Sequence, residues 1–266
     1  MYGNPEPDFT VPFKRVTIEG GATLDIERVT IEGGATLDIE VDVYLPVSTG
    51  DSASLSNAVL YIHGGAMVAM DKTDIPLFLP RYAKSNHLVL ISTNYRLAPQ
   101  GKVQQAASDC IDASKWCESD LQRAIDEHAS TLTSSAFRPQ WSGKLAVVGG
   151  SAGGWLTLLV AAAGVPSIKA VAAIYPMTNL SDPHFENVRG KSKHSLQFEH
   201  CCAGDTTIPP TNSQNMAESL EKSKVEHVLR LVPEKAHFFD MLAPQEAEEE
   251  LGITELLTFL VEQMNK

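Results

Sequence analysis

Cysteine is scarce in this chain, with four among 266 residues: Cys110, Cys117, Cys201 and Cys202. Their spacing matches no metal-ligand pattern. Cys110 and Cys117 share a helical face, and adjacent cysteines rarely bridge each other, so reduced core thiols are expected rather than a disulfide framework. Positive charge is the minority sign: 21 Lys and Arg face 33 Asp and Glu, for a net charge of −12. With no basic stripe, a nucleic-acid partner is not expected. No apolar run approaches the roughly 20 residues of a membrane span. The opening MYGNPEPDFT also lacks the basic start and apolar run of a signal peptide. The expectation is a soluble, cytoplasmic protein with no membrane contact. Aromatic residues are few at 7%, yet hydrophobic residues reach 43% and charged ones 20%, which suffices for a sizeable core.

What the chain does contain is a stretch around which the remainder can be arranged. Residues 145–159 read LAVVGGSAGGWLTLL: a short apolar run with two valines, a turn holding four glycines around Ser151, then alanine- and leucine-rich text. A buried strand breaking abruptly into a helix around one serine is the pattern G-x-S-x-G. Glycines two places before and after the serine leave room for a turn too tight for side chains. The serine is then held in a strained conformation with its oxygen pushed out of the sheet. A helix starting at Ala152 aims free N–H groups at that oxygen. Taken alone, the same text also suits a glycine-rich turn in any strand-to-helix unit.

Before this stretch, residues 15–27 and 28–40 repeat RVTIEGGATLDIE without change. One copy reads as strand, Gly-Gly turn, strand. Two copies do not make a solenoid, and a sheet has room for one in register. The other is expected as an extra edge hairpin, a looped-out insert, or a strand exchanged between two molecules, which would give a dimer. Further on, strands are predicted over 58–62, 88–94, 145–149, 168–175, 196–202 and 225–232. Helical text covers 75–85, 103–128, 152–163, 212–222 and 246–263. This alternation calls for an α/β fold with a mostly parallel central sheet flanked by helices, an amino-terminal antiparallel hairpin, and one domain over residues 1–266.

Ligands of such sheets gather at the carboxyl ends of the strands, where His63, Ser151, Asp205 and His237 all fall. A serine needs a base to become a nucleophile, and an imidazole needs an acid to fix its proton. His237 is the candidate base and Asp205 the candidate acid. A loop histidine beside core phenylalanines and a turn aspartate are the plainer alternatives. Asp182 is the rival acid. Asp240, three residues after His237, reads as a structural or solvated carboxylate. Ala152 with Gly64 and Gly65 can converge N–H groups on one oxygen, with His63 supporting their loop. Met67, Val68, Met70, Trp155, Met177 and Phe238 lie near these turns. Each alone suits core packing, but together they favour an apolar acyl substrate.

HGGA at 63–66, NYRLAP at 94–99, GGSAGG at 149–154 and the late Asp205 and His237 resemble the hormone-sensitive-lipase-like branch of the α/β-hydrolase superfamily. The resemblance covers residue 55 onward. It implies an α/β-hydrolase fold and cleavage of a small-molecule acyl ester or thioester through an acyl-serine, without metal or cofactor. Ser151 takes the place of the nucleophile, His237 of the base and Asp205 of the orienting acid. Gly64, Gly65 and Ala152 take the oxyanion hole. Ala66 stands where the family has a third glycine, and Gly150 where this branch often has an acidic residue. The amino-terminal segment is too short and strand-like for a helical lid, and residues 177–193 leave room only for a small cap. Small fungal relatives include arylformamidases and enzymes that release or cyclise polyketide chains. Acyl transfer or lactone formation is therefore the second reading. A non-catalytic binding protein on the same fold is the third, disfavoured because Ser151 and His237 are both present.

Overall fold

In the computed structural model, residues 5–17, 22–24, 29–31, 36–46, 55–131, 138–178, 196–202, 205 and 207–266 are described. The strands are β1 (Phe9–Thr17), β2 (Ala22–Leu24), β3 (Val29–Ile31), β4 (Thr36–Tyr44), β5 (Leu55–Ile62), β6 (Val89–Thr93), β7 (Gln140–Gly150), β8 (Ile168–Ile174), β9 (Leu196–Cys202) and β10 (His227–Val232). The helices are α1 (Phe78–Ser85), α2 (Val103–Ser119), α3 (Leu121–Thr131), α4 (Ala152–Ala162), α5 (Thr211–Lys222) and α6 (Ile253–Asn265).

Alternation of apolar side chains divides the core into two layers. In β5, Ala58, Leu60 and Ile62 join one buried cluster, while Val59 and Tyr61 join the other; β7 splits Leu145 and Val147 from Ala146 and Val148 in the same way. A strand that is apolar on both faces must be covered on both. Helices α2, α3 and α4 cover the first face, and α1 and α6 the second. Helix α4 is apolar all round, and residues 152–161 are buried. That suits a helix between a sheet and a second helix layer.

The main sheet has eight strands in the order β1-β4-β6-β5-β7-β8-β9-β10. β1 and β6 each run antiparallel to β4, and the neighbours from β6 to β10 are parallel. The expected mostly parallel sheet with an antiparallel amino-terminal hairpin is therefore observed. Register aligns Val41 with Thr93, Thr93 with Ile62, and Ile62 with Gly149. The chain leaves β5, β7, β9 and β10 beyond this row, at one rim. Among the described residues no helix is long and apolar enough to cross a membrane. Cys110 and Cys117 are buried free thiols.

The repeat is nested rather than sequential. Arg15, Val16 and Thr17 from the first copy pair with Asp38, Leu37 and Thr36 from the second. That leaves the second half of copy one against the first half of copy two, and β2 pairs there with β3 as a separate ribbon. Each pairing reproduces the register of a single copy, because identical halves are interchangeable.

Three helical expectations need correction. The first helix starts at Phe78, since residues 75–77 are drawn into a turn closed by Leu79 N–H on the Pro76 carbonyl. The stretch 103–128 is two helices, broken at Asp120, whose φ of −126° lies outside the helical range. The last helix begins at Ile253, because Gly252 adopts φ of +70°; the acidic run before it forms only a 3-10 turn, Gln245–Ala247. The small cap expected over 177–193 lies outside the described residues from 179 onward, as does Asp182.

Candidate active site

The strand-turn-helix around Ser151 is built as its glycines demand. Ser151 has φ of 57° and ψ of −120°, a region where a side chain is strained and persists only when its surroundings enforce it. Its N–H donates to the Ile174 carbonyl at 2.9 Å, and its carbonyl accepts from Trp155 N–H at 3.2 Å. Strand β8 and helix α4 thus hold it from both sides. A Cβ on Gly153 would lie 2.1 Å from the Ile62 carbonyl oxygen, so only glycine lets α4 start against the end of β5.

The structure brings Ser151, His237 and Asp205 together. Nε2 of His237 is 3.0 Å from the Ser151 hydroxyl, and Nδ1 is 2.6 Å from Oδ2 of Asp205. A carboxylate accepts only, so Nδ1–H donates to it and Nε2 is left to accept from the serine hydroxyl. The second oxygen of Asp205 accepts from Thr207 N–H at 2.8 Å and Ile208 N–H at 2.9 Å. The turn chemistry that offered a plain reading of Asp205 therefore also aims the carboxylate. All three groups are nearly buried: Ser151 is 4% exposed, Asp205 6%, and the His237 side chain 8%.

Beside the serine runs the loop after β5. A Cβ on Gly64 would be 3.4 Å from the Cβ of Ser151, so this backbone abuts the hydroxyl. The Tyr95 hydroxyl lies 3.0 Å from the His63 carbonyl and 2.8 Å from that of Gly64. In a trans peptide, C=O and the following N–H point in opposite directions. With both carbonyls turned to Tyr95, the N–H groups of Gly64 and Gly65 point the other way. Gly65 has φ of +84° and turns the chain so sharply that Val68 and Ala69 N–H both reach its carbonyl. Ala66 and Met67 follow at φ of 54° and 64°. Ala66 thus adopts the left-handed backbone a glycine would take without strain. Ala152 is the first residue of α4, where N–H groups lack helical partners.

His63 supports this loop. Its ring stacks on Tyr95, centroids 4.2 Å apart and planes 13° from parallel, and Nδ1 donates to the Gly64 carbonyl at 3.1 Å. Burial lowers its pKa to about 4, against the hydrogen bond to Gly64 and the charge of Asp71. The ring is neutral at neutral pH.

The residues offered as pocket walls divide. Met67 and Trp155 belong to the core cluster, and Met177 packs against it. Val68 and Phe238 are 52% and 41% exposed, and a Cβ on Gly64 would lie 3.6 Å from the Phe238 ring. Asp240 is not solvated but 1% exposed, and it accepts from the Tyr175 hydroxyl. The sequence alone reads Tyr95 as part of a structural stretch and Tyr175 as the end of a strand, and gives neither a part in the site, although each follows a strand at the rim where chemistry gathers. Among the described residues no group of three His, Cys, Asp or Glu could hold a metal ion.

The sequence pattern of the alpha/beta hydrolase fold family matches residues 59–208, over half of the chain. The chain belongs to that family. The chain is similar to tuliposide B-converting enzyme 1 of Tulipa gesneriana, 27% identical over 207 residues, covering 72% of this chain and 44% of that one. It is 26% identical over 180 residues to methylphloroacetophenone synthase of Cladonia uncialis, covering 66% of this chain and 6% of the synthase. Hormone-sensitive lipase of Mus musculus is 30% identical over 126 residues, covering 46% of this chain and 15% of the lipase. The chain thus spans less than half the length of these relatives, and it stands on the hormone-sensitive-lipase-like side of the family. Among solved structures, esterase 2 of Thermogutta terrifontis phosphorylated by paraoxon superposes with a TM-score of 0.63. The two are 20% identical, with 85% of this chain and 89% of that chain covered.

Proposed function

We propose that this hydrolase is a serine carboxylesterase cleaving esters of apolar acyl groups. The observation that carries the reading is the unbroken relay from Asp205 through His237 to the Ser151 hydroxyl, placed beside a backbone loop whose Gly64 and Gly65 N–H groups face away from Tyr95. As the Ser151 oxygen attacks the ester carbonyl, Nε2 of His237 takes the hydroxyl proton, and Asp205 stabilises the imidazolium. Charge collects on the former carbonyl oxygen, where the N–H groups of Gly64, Gly65 and Ala152 stabilise it. His237 then hands the proton to the departing alcohol. Water, activated by the same imidazole, releases the acid from Ser151. Two exposed apolar residues, Phe238 against the His237 ring and Val68 three places beyond Gly65, support an acyl group without charge.

Capture of the acyl-serine by an alcohol, giving a new ester or a lactone, is the second reading. The likeness to methylphloroacetophenone synthase, and to non-reducing polyketide synthases of Penicillium brevicompactum, motivates it. Analysis of acid and lactone products from a hydroxyacyl thioester separates the two.

The test uses p-nitrophenyl acetate and a fluorophosphonate probe. The unaltered protein should hydrolyse the ester and take the label. Ser151→Ala should lose the label, and His237→Ala should lower kcat/KM by about 10⁴-fold. Labelling that survives in Ser151→Ala, or near-normal turnover in His237→Ala, sinks the proposal.

A further inference from the structure

Once the relay and its amide donors are accounted for, one buried group next to them has no assigned task. Tyr175, the first residue beyond β8, is 1% exposed, and its ring lies against the His237 imidazole with centroids 4.5 Å apart and planes tilted by 53°. Phe238 and Phe239 set their rings edge-on to the same phenol at 6.0 and 5.8 Å. A Cβ on Gly150 would be 3.3 Å from the Tyr175 ring and hydroxyl, so the phenol fills the space directly behind the serine turn. Its hydroxyl donates to Oδ1 of Asp240. The phenol springs from the end of a central strand and the carboxylate from the loop that carries His237. Their hydrogen bond therefore ties that loop to the sheet. An uncharged acceptor would make the same tie without the cost of burying a carboxylate. The charge needs a purpose, and the neighbour able to use it is the imidazole.

We propose that Tyr175 and Asp240 are a positioning pair for His237: the ring fixes the imidazole plane opposite Ser151, and the carboxylate steadies the imidazole while it carries the serine proton. The inference rests on the reading of Ser151 as nucleophile and His237 as base. The groups that face Asp240 are the Tyr175 hydroxyl, the His237 ring, the phenol of Tyr61 on β5, and the N–H groups of Asp240 and Met241. Asp205 acts on His237 from the Nδ1 side. Burial pushes the Asp240 carboxyl up to about 6, while the Tyr175 hydrogen bond and the His237 charge pull it down. Above that pH Asp240 is an anion and strengthens the hold of His237 on a proton. Asp240→Asn keeps the acceptor and removes the charge. Tyr175→Phe keeps the ring and removes the donor that helps Asp240 ionise.

Both variants should move the acid limb of kcat/KM to lower pH, by about half a unit to one unit. Both should also lower kcat by roughly 3- to 30-fold, with KM changed by less than about twofold. The experiment records pH–rate profiles on p-nitrophenyl acetate for the unaltered protein, both variants and His237→Ala. It also follows the His237 ring by NMR titration. The ring signals should respond to loss of the Asp240 charge in Asp240→Asn, and ring signals that neither variant moves overturn the inference. Folded variants with a lower melting temperature but an unmoved acid limb reduce the pair to a structural tie and also overturn it. If that happens while His237→Ala is inactive, the serine esterase reading stands. Turnover surviving in His237→Ala removes both.

Discussion

His63 shows how a single buried ring contributes to the acid sensitivity of a fold. Its folded pKa of about 4 lies below the ordinary 6.5, so between those values the unfolded chain binds a proton that the folded chain refuses. The contribution of His63 to stability therefore falls as pH drops from about 6.5 and levels off near 4, by a total on the order of 3 kcal/mol. Asp240, whose carboxyl is pushed up to about 6, contributes with the opposite sign over the same range. The test is therefore a difference: the stability margin of the unaltered protein over His63→Asn, read by urea unfolding, should be smaller at pH 4.5 than at pH 7.5. Ser151 was legible in the sequence because its signal is local, a serine framed by glycines at fixed offsets. His237 and Asp205 were legible through chain order and their place after strands. Tyr175 and Asp240 were not, since 65 residues separate them and neither lies in a local motif. Only the return of the last loop onto the end of β8 makes them neighbours.

Among elements, the turn after β5 depends on a side chain from the turn after β6. The Tyr95 hydroxyl holds the His63 and Gly64 carbonyls, and so aims the N–H groups proposed to stabilise the transition state. Tyr95→Phe should lower kcat by about 10-fold or more with little change in KM, since a misaimed donor is missed most when charge develops. Steady-state kinetics on a short ester checks this. The amino-terminal ribbon makes a separate prediction. Because β1 pairs with the second copy's end and β2 with β3, removing residues 28–40 restores one continuous hairpin in the same register. That deletion should leave a folded protein with unchanged turnover of p-nitrophenyl acetate; loss of soluble, active protein would refute it. Strand positions were readable because apolar alternation is strong there. Helix starts were not: Gly252 ends one backbone path and begins another, a distinction composition alone does not carry.

Taken as a whole, the molecule is fastened across its layers by Asp109 of α2, which is 0% exposed. Its carboxylate accepts from Arg96 Nε at 2.8 Å, Arg96 Nη2 at 2.7 Å and Lys14 Nζ at 2.7 Å. One buried anion thus joins the edge strand β1, the loop beyond β6 and a covering helix. Asp109→Ala leaves the Arg96 guanidinium, 10% exposed, without its carboxylate and Lys14 with Asp112 alone, and should cost about 3–5 kcal/mol, measured by urea unfolding. Arg15 and Asp38 pair at the surface, 70% and 35% exposed, where solvent screening leaves an ion pair little weight. The antiparallel course of β4 has a last consequence. Its early half, residues 36–40, continues past Thr93 at the same rim from which the serine hydroxyl rises. Three strand spacings, about 14 Å, separate the two. Residues 36–40 therefore build up a flank of that rim rather than its base. A compact acetate would pass them unnoticed, and a long-chained ester would be the first to meet them.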